Sequence, residues 1–185
     1  VAQAIDDNEL VVAAVLSGLA TFEGSFLAIR PVNSLSHYTD WTIAHVHAGT
    51  LGWNSMIIFG AFYYLVPQLW KRERMYSPAL VEVHFWLAIA GAFVYVFAMW
   101  NSGITQGLMW RTYNDSGTLA YSFVDSLIAM HPYYIARAFG GLLFLIGTAV
   151  GAYNIWMTMR AVPAVEGTRV DQPVTVSRPA LEAGE

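Results

Sequence analysis

Four long apolar stretches dominate the pattern of this chain, with polar residues gathered between them and at the two ends. A helix needs about 20 mainly apolar residues to cross roughly 30 Å of hydrocarbon. The stretches that reach this length are residues 10–29, 41–70, 83–110 and 132–159. No run alternates between apolar and polar positions with a period of two, so strands are not predicted. The pattern predicts an all-α, polytopic transmembrane helix bundle with four spans.

The segments outside the spans add boundaries to this picture. Pro132 suits a helix start, because proline lacks the N–H that a helix interior needs. Residues 114–117 (Asn-Asp-Ser-Gly) are a turn signal, after which residues 119–130 are predicted to form a short surface helix. Residues 1–161 thus form the transmembrane portion, and residues 162–185 are expected to be a polar, disordered cytoplasmic tail.

Composition supports a membrane protein and excludes several other classes. Hydrophobic residues make up 56% of the chain and charged residues 12%, against about 25% charged in a typical soluble domain. A net charge of −4 with nine Lys and Arg argues against a nucleic-acid partner. The absence of Cys excludes thiolate metal sites and iron–sulfur clusters. No basic segment precedes the first apolar run, so no signal peptide is predicted, and we expect a piece of a longer membrane protein.

Basic residues predict the orientation, because cytoplasmic loops are enriched in Lys and Arg. Six lie on the side that follows the second and fourth spans: Lys71, Arg72, Arg74, Arg160, Arg169 and Arg178. Only three belong to the other side: Arg30, Arg111 and Arg137. Both chain ends are therefore predicted to be cytoplasmic. An interfacial aromatic belt is predicted from the tryptophans near span ends: Trp41, Trp70, Trp86, Trp110 and Trp156.

His45 and His47 are the most informative residues, because ionisable groups inside a membrane are costly and usually functional. On a helix, residues two apart point roughly 200° away from each other around the axis. The two imidazoles therefore cannot chelate one ion, but each can serve a different cofactor on its own face of the helix. Imidazole is a common axial ligand of haem iron. The alternative is that both histidines only make hydrogen bonds between helices.

Glu23 and Arg137 are the two charged residues within the other spans that need explanation. Glu23 lies at about the same predicted depth as His45, so its carboxylate can accept a ring N–H from a ligand histidine. It can also be a proton-relay acid or a protonated packing residue. Arg137 lies a turn inside the outer end of the fourth span, where its guanidinium can pair with haem propionates or extend to the interface. His37 lies in the outer loop eight residues before His45.

The sequence around these residues closely resembles one family. The resemblance is carried by Phe22-Glu23-Gly24 and by the run from Val32 to Gly49, which contains His45-Val46-His47. Residues 69–74, 106–111 and 133–138 match the same proteins. These are the catalytic subunits of the C-family haem–copper oxygen reductases, the cbb-type cytochrome c oxidases. The resemblance covers residues 10 to 160 and corresponds to the C-terminal third of that subunit.

The resemblance implies a function and a set of roles. The family reduces dioxygen to water with electrons from cytochrome c and couples this to proton translocation across the bacterial inner membrane. His45 matches the proximal ligand of the high-spin haem, and His47 matches an axial ligand of the low-spin haem. Glu23 matches an acid that hydrogen-bonds the proximal histidine. His37 and Arg137 match positions near haem propionates. The implied cofactors are two b-type haems, with copper in the complete subunit but not ligated by this chain.

Much of the family pattern lies outside this sequence, including the copper ligands and the second axial histidine. The chain is therefore expected to be inactive alone and to need the N-terminal part of the subunit and membrane-anchored c-type cytochrome subunits. Three alternatives stay open at this point. The chain can belong to a nitric oxide reductase, which has a non-haem iron in place of copper. It can be a non-catalytic, haem-binding electron-transfer subunit, or a haem-free transporter fragment in which His45 and His47 only pack.

Overall fold

Helices joined by short connections make up the part of the chain that the structure describes. The structure, a computed structural model, describes the backbone of residues 2–160 and the side chains of residues 10–160. The expected disordered tail at 162–185 lies outside these residues. The helical elements in chain order are α1 (Ala2–Leu27), α2 (Arg30–Ser36), α3 (Asp40–His47), a π-helical segment (Ala48–Asn54), α4 (Ser55–Leu69), α5 (Pro78–Met109) and α6 (Phe123–Arg160).

The predicted all-helical class is confirmed, and the described part of the chain has three helices that are long and apolar enough to cross a membrane. These are Leu10–Leu27 within α1, Pro78–Met109 and Phe123–Arg160. Within residues 2–160 the β-structure is limited to one isolated bridge between Tyr113 and Leu119. The bridge closes the predicted turn, in which the Asn114 N–H donates to the Thr118 carbonyl.

The second predicted span is divided into three consecutive helical segments rather than one α-helix. α3 ends at His47, the π-helical segment follows directly, and α4 begins at Ser55. Ala48 and Ser55, where the winding changes, both keep right-handed helical backbone angles. The Ser55 N–H donates to the Thr50 carbonyl five residues back, as in a π-helix. Helical backbone therefore continues without a loop from Asp40 to Leu69.

The predicted start of the fourth span at Pro132, and the separate helix at 119–130, are wrong. α6 begins at Phe123 and continues through Pro132. The reason is a reciprocal cap: the Ser122 N–H donates to Asp125 Oδ2 (2.9 Å), and the Asp125 N–H donates to Ser122 Oγ (3.2 Å). Proline is tolerated inside membrane helices, where neighbouring groups satisfy the freed carbonyl.

Two other predicted boundaries also shift. α5 begins at Pro78 instead of residue 83, because Ser77 Oγ caps the Leu80 N–H (3.4 Å) and proline favours the first helical position. α1 ends at Leu27 instead of residue 29, and the short helix α2 follows at Arg30–Ser36.

α5 and α6 pack backbone to backbone through glycines. A Cβ added to Gly140 would lie 2.6 Å from the Tyr95 backbone N and 2.8 Å from the Gly91 carbonyl oxygen. A Cβ at Gly91 would in turn lie 2.8 Å from the Gly140 carbonyl oxygen. Gly147 and Gly151 meet residues of the same helix, α5, one and two turns further along. Small residues at these positions let the two helices approach.

Polar contacts tie the loop between α4 and α5 to the last turns of α6. The Asn154 amide exchanges two hydrogen bonds with the backbone of Ser77, at 3.0 and 2.8 Å. The Tyr76 N–H donates to Thr158 Oγ1 at 2.9 Å. Asn154 and Thr158 are buried. The basic loop that follows α4 therefore lies at the same end of the bundle as Arg160.

The neighbouring glycines Gly140 and Gly141 offer a matched test of this packing. We expect Gly140→Ala to destabilise the fold by about 1–3 kcal/mol, because the new methyl group overlaps the α5 backbone. At Gly141 a Cβ would meet the Tyr95 ring at 3.6 Å, an ordinary contact, so Gly141→Ala should be neutral or slightly stabilising. The measurement is the midpoint of detergent-induced unfolding for each variant. Equal midpoints for the two variants would contradict this account of the interface.

Candidate functional site

The start of α3, the helix that carries both histidines, is fixed against α5 by a buried carboxylate. Asp40 Oδ2 accepts a hydrogen bond from Ser102 Oγ (2.6 Å), and the Asp40 N–H donates to Gln106 Oε1 (2.8 Å). Ser102 and Gln106 are four residues apart and so lie on one face of α5. All three side chains are buried. Gly103 lies between them and leaves no room for a side chain against the Trp41 backbone.

The carboxylate of Glu23 on α1 is the centre of a second polar cluster. Its Oε1 accepts hydrogen bonds from Trp100 Nε1 (2.6 Å) and Trp41 Nε1 (2.9 Å). Its Oε2 lies 3.4 Å from His45 Nδ1. The predicted equal depth of Glu23 and His45 is confirmed by this contact. The side chain of Glu23 is only 12% exposed, so these N–H donors are the main compensation for its burial.

His47 is held in a different way and contacts a different helix. Its Nδ1 lies 2.8 Å from the Ile43 carbonyl oxygen in the preceding turn of α3. Its Nε2 lies 3.4 Å from the Tyr95 hydroxyl of α5, and the two rings are 4.8 Å apart between centroids. His45 faces α1, so the two imidazoles point to different neighbours, as their spacing predicts.

In both histidines Nε2 is the nitrogen that carries the lone pair, and at His47 it lies 3.4 Å from the Tyr95 hydroxyl. A carbonyl oxygen can only accept a hydrogen bond, so His47 Nδ1 carries the proton and Nε2 is the basic nitrogen of the neutral ring. The Glu23 carboxylate imposes the same tautomer on His45. A neutral imidazole whose other N–H is bound to an oxygen acceptor is the usual form of a histidine that ligates a metal. Within residues 10–160 no three His, Asp or Glu side chains cluster as a metal site.

A groove of about 490 Å³ opens beside His45, between α1 and the helical segments that follow His45. Small residues line it, with Ala20 and Gly24 on α1 and Gly49 opposite. A Cβ at Gly24 would lie 3.3 Å from His45 Cε1 and 3.5 Å from its Nε2. Glycine at this position therefore keeps the space next to the basic nitrogen open. The groove and the lone pair of His45 Nε2 fit a flat cofactor whose metal ion binds this nitrogen.

The other two predicted site residues lie apart from the Glu23 cluster. Arg137 reaches inward from α6, where its Nη1 lies 3.4 Å from Met99 Sδ and its guanidinium 4.8 Å from the Tyr134 ring. Met99 is fully buried against Ala44 on α3, so Arg137 lies one side chain away from the histidine helix. His37 is exposed at the end of α2, with its ring 4.0 Å from that of Tyr38.

Several residues of this region are not predicted from the sequence. The sequence predicts Trp41 in the aromatic belt, whereas its indole donates a hydrogen bond to Glu23. Its position four residues before His45 was a usable signal, since such residues share a helix face. Nothing in the sequence pointed to Trp100. His84, to which no role was assigned, is fully buried and hydrogen-bonded to the Tyr63 hydroxyl through Nδ1 (2.5 Å).

The π-helical segment begins directly after His47 and was also unpredicted. Its wider winding occurs often at functional sites. The Ala48 N–H is shared between the carbonyl oxygens of Ala44 and His45, where the winding changes. A Cβ at Gly52 would lie 3.0 Å from the Leu16 side chain, so this segment packs closely on α1.

Comparison with known proteins gives a family match over most of the chain. Residues 9–143 match the family model described as Cytochrome C and Quinol oxidase polypeptide I. The chain is 56% identical over 158 residues to a cytochrome c oxidase subunit 1 homolog of Agrobacterium tumefaciens, covering 85% of this chain and 29% of that protein. It is 54% identical over 157 residues to the Cbb3-type cytochrome c oxidase subunit CcoN1 of Stutzerimonas stutzeri, covering 85% and 33%.

More distant similarity extends to an archaeon. The chain is 28% identical over 148 residues to cytochrome c oxidase polypeptide 1 of Halobacterium salinarum, covering 80% of this chain and 22% of that protein. In each case the chain spans no more than about a third of the length of the relative.

The buried contact between Ser102 and Asp40 can be tested without any cofactor. We expect Ser102→Ala to lower the stability of the fold by about 1–3 kcal/mol, because the buried Asp40 carboxylate loses the hydrogen bond from Ser102 Oγ. Ser34→Ala is the matched control, since Ser34 is exposed and bonds only to the Pro31 carbonyl. Thermal unfolding in detergent, followed by circular dichroism, measures both variants. If Ser102→Ala and Ser34→Ala unfold at the same temperature, Asp40 does not anchor α3 as described.

Proposed function

The chain belongs to the cytochrome c and quinol oxidase polypeptide I family, and on that premise we propose that it is the C-terminal third of the catalytic subunit of a cbb-type terminal oxidase. The complete subunit would reduce dioxygen to water with electrons from cytochrome c and couple this reaction to proton translocation. The share of this chain is one axial histidine for each of two haems. Two relatives of about 55% identity are named as cytochrome c oxidase subunits, which favours an oxidase over a nitric oxide reductase.

One observation carries the proposal: both histidines of α3 have Nδ1 bound to an oxygen acceptor, which leaves the lone pair on Nε2. The acceptors are Glu23 Oε2 for His45 and the Ile43 carbonyl for His47. Histidines that only pack between helices do not need this shared tautomer. The two Nε2 atoms point to different neighbours, as two separate ligands require.

The proposed cofactors are two b-type haems, which would supply electron transfer and oxygen binding when bound. His45 would ligate the high-spin haem through Nε2, in the groove that Gly24 keeps open. His47 would ligate the low-spin haem through Nε2, and the Tyr95 hydroxyl would have to move away from this atom. Glu23 orients the His45 ring and increases its basicity, which is the role proposed for this acid.

Arg137 and His37 are proposed to bind haem propionates. Arg137 is the one charged side chain that α6 sends toward the core near α3, and guanidinium pairs well with carboxylates. His37 lies at the end of α2, three residues before the start of α3. Both would bind the haems from the end of the bundle at which Asp40 lies.

The proposed setting is a bacterial inner membrane, with the consecutive segments of residues 40–69 acting as a fourth span. The loop after α4 and the end of α6 lie together, which supports a common cytoplasmic side for their basic residues. The expected partners are the N-terminal part of the same subunit, which would hold copper, and membrane-anchored c-type cytochrome subunits. Dioxygen would be the substrate and lipid the surrounding medium.

Optical spectra of the complete membrane complex test the two ligand assignments separately. We expect His45→Ala to abolish the absorbance change on adding carbon monoxide to the reduced complex, because the high-spin haem loses its protein ligand. His47→Ala should abolish the low-spin band instead. His131→Ala, an exposed histidine of α6, is the control and should leave both signals intact.

If His45→Ala and His47→Ala both retain both haem signals, the ligand assignment is wrong. A complex with only six-coordinate haem and no carbon monoxide binding would indicate an electron-transfer subunit. Iron in place of copper in the metal analysis would indicate a nitric oxide reductase.

A second prediction concerns Arg137. We expect Arg137→Gln to lower the reduction potential of at least one haem, because a positive charge beside the propionates stabilises the reduced, less positive iron. Arg111→Gln, at an exposed loop residue, should leave both potentials unchanged. Redox titration of the complete complex measures both. Identical potentials in the two variants would show that Arg137 has no haem partner.

A further inference from the structure

The hydrogen bonds around the Glu23 carboxylate are distributed unequally between its two oxygens. Oε1 accepts two short bonds, from Trp100 Nε1 at 2.6 Å and from Trp41 Nε1 at 2.9 Å. Oε2 faces His45 Nδ1 at 3.4 Å, near the limit of a hydrogen bond. The oxygen that faces the histidine is therefore the weakly bound one.

This inequality has a direct electrostatic consequence. An indole N–H can only donate, and a carboxylate oxygen that accepts two such bonds draws negative charge toward itself. Less charge remains on Oε2, which then accepts more weakly from His45. The groove around Glu23 is apolar, with Leu19, Phe26 and Phe97 among its lining residues, and hydrogen bonds are stronger where water is scarce.

The positions of the two indoles are set by backbone packing as well as by side-chain contacts. Trp41 is the second residue of α3, and its backbone lies against Gly103 of α5. The backbone N–H of Trp41 donates to Thr39 Oγ1 at 3.3 Å. Trp100 lies one turn before Gly103 on α5, so both donors come from the contact between α3 and α5. The Glu23 carboxylate on α1 thus meets donors that α3 and α5 carry.

We propose that Trp41 and Trp100 are positioning residues that weaken the hydrogen bond between Glu23 and His45 and so limit the basicity of the His45 imidazole toward its haem iron. The inference rests on the proposed ligation of the high-spin haem by His45. It assigns two tryptophans to the control of that ligand through a shared carboxylate. Neither indole touches the haem or the substrate in this role.

The test uses Trp100→Phe, Trp41→Phe and the double variant in the complete membrane complex. Loss of an indole donor returns charge to Oε2 and strengthens its bond to His45. We expect the iron–histidine stretching frequency of the ferrous high-spin haem to rise in resonance Raman spectra, and the reduction potential of that haem to fall. Trp100→Phe should have the larger effect because its bond is shorter, and the double variant should exceed either.

Two controls separate this effect from a general loosening of the bundle. Trp86→Phe removes an exposed indole from α5 and should leave the stretching frequency unchanged. Glu23→Gln replaces the carboxylate by a weaker acceptor and should shift the frequency in the opposite direction, downward. The low-spin haem bands should stay constant in every variant.

The outcomes distinguish this inference from the function on which it rests. If His45→Ala leaves the iron–histidine band in place, the ligand assignment fails and the inference fails with it. If His45→Ala abolishes the band while Trp41→Phe and Trp100→Phe leave its frequency unchanged, only the role of the tryptophans is overturned. Should Trp100→Phe fail to assemble, Trp41→Phe reports on the same carboxylate oxygen from a different helix.

Discussion

The close approach of helix backbones to α5 is the constraint on which the rest of this structure depends. Gly91 and Gly140 bring α6 so near to α5 that a Cβ at either would lie 2.8 Å from the carbonyl oxygen of the other. Gly103 does the same for the start of α3 at Trp41. In a membrane, where lipid is as apolar as the side chains, such close packing supplies much of the attraction between helices. α5 thereby becomes the element that positions both neighbours.

Because α3 is fixed at its start, the directions of the side chains at its end are also determined. Asp40, held by Ser102 and Gln106, anchors the first turn, and the helix is only eight residues long. Over so short a helix the direction of the last side chains follows from the first turn with little freedom. His45 therefore meets the carboxylate of α1, and His47 meets the Tyr95 ring of α5. The hydrogen bond at each Nδ1 then orients the ring.

Most features of a single helix could be predicted from the sequence, whereas most contacts between helices could not. Hydropathy revealed the helical class, and the period of the helix placed His45 and His47 on different faces. Depth alone placed Glu23 beside His45. Trp100 was not predicted, because its position next to α1 depends on how α5 packs with α3, and no local sequence pattern encodes that packing. Hydropathy does not predict the start of α6, because the cap at Ser122 and Asp125 is polar.

The two histidines share a helix and a tautomer, yet the groups that hold their Nδ1 atoms differ in kind. His47 donates to the carbonyl of Ile43 in its own helix, an acceptor whose strength is fixed by the backbone. His45 faces a side-chain carboxylate, a stronger acceptor whose strength changes with its other partners. The acceptor strength at Nδ1 can therefore be adjusted for His45 but not for His47. Equivalent residues two positions apart acquire different chemistry because only one of them relies on a side chain from another helix.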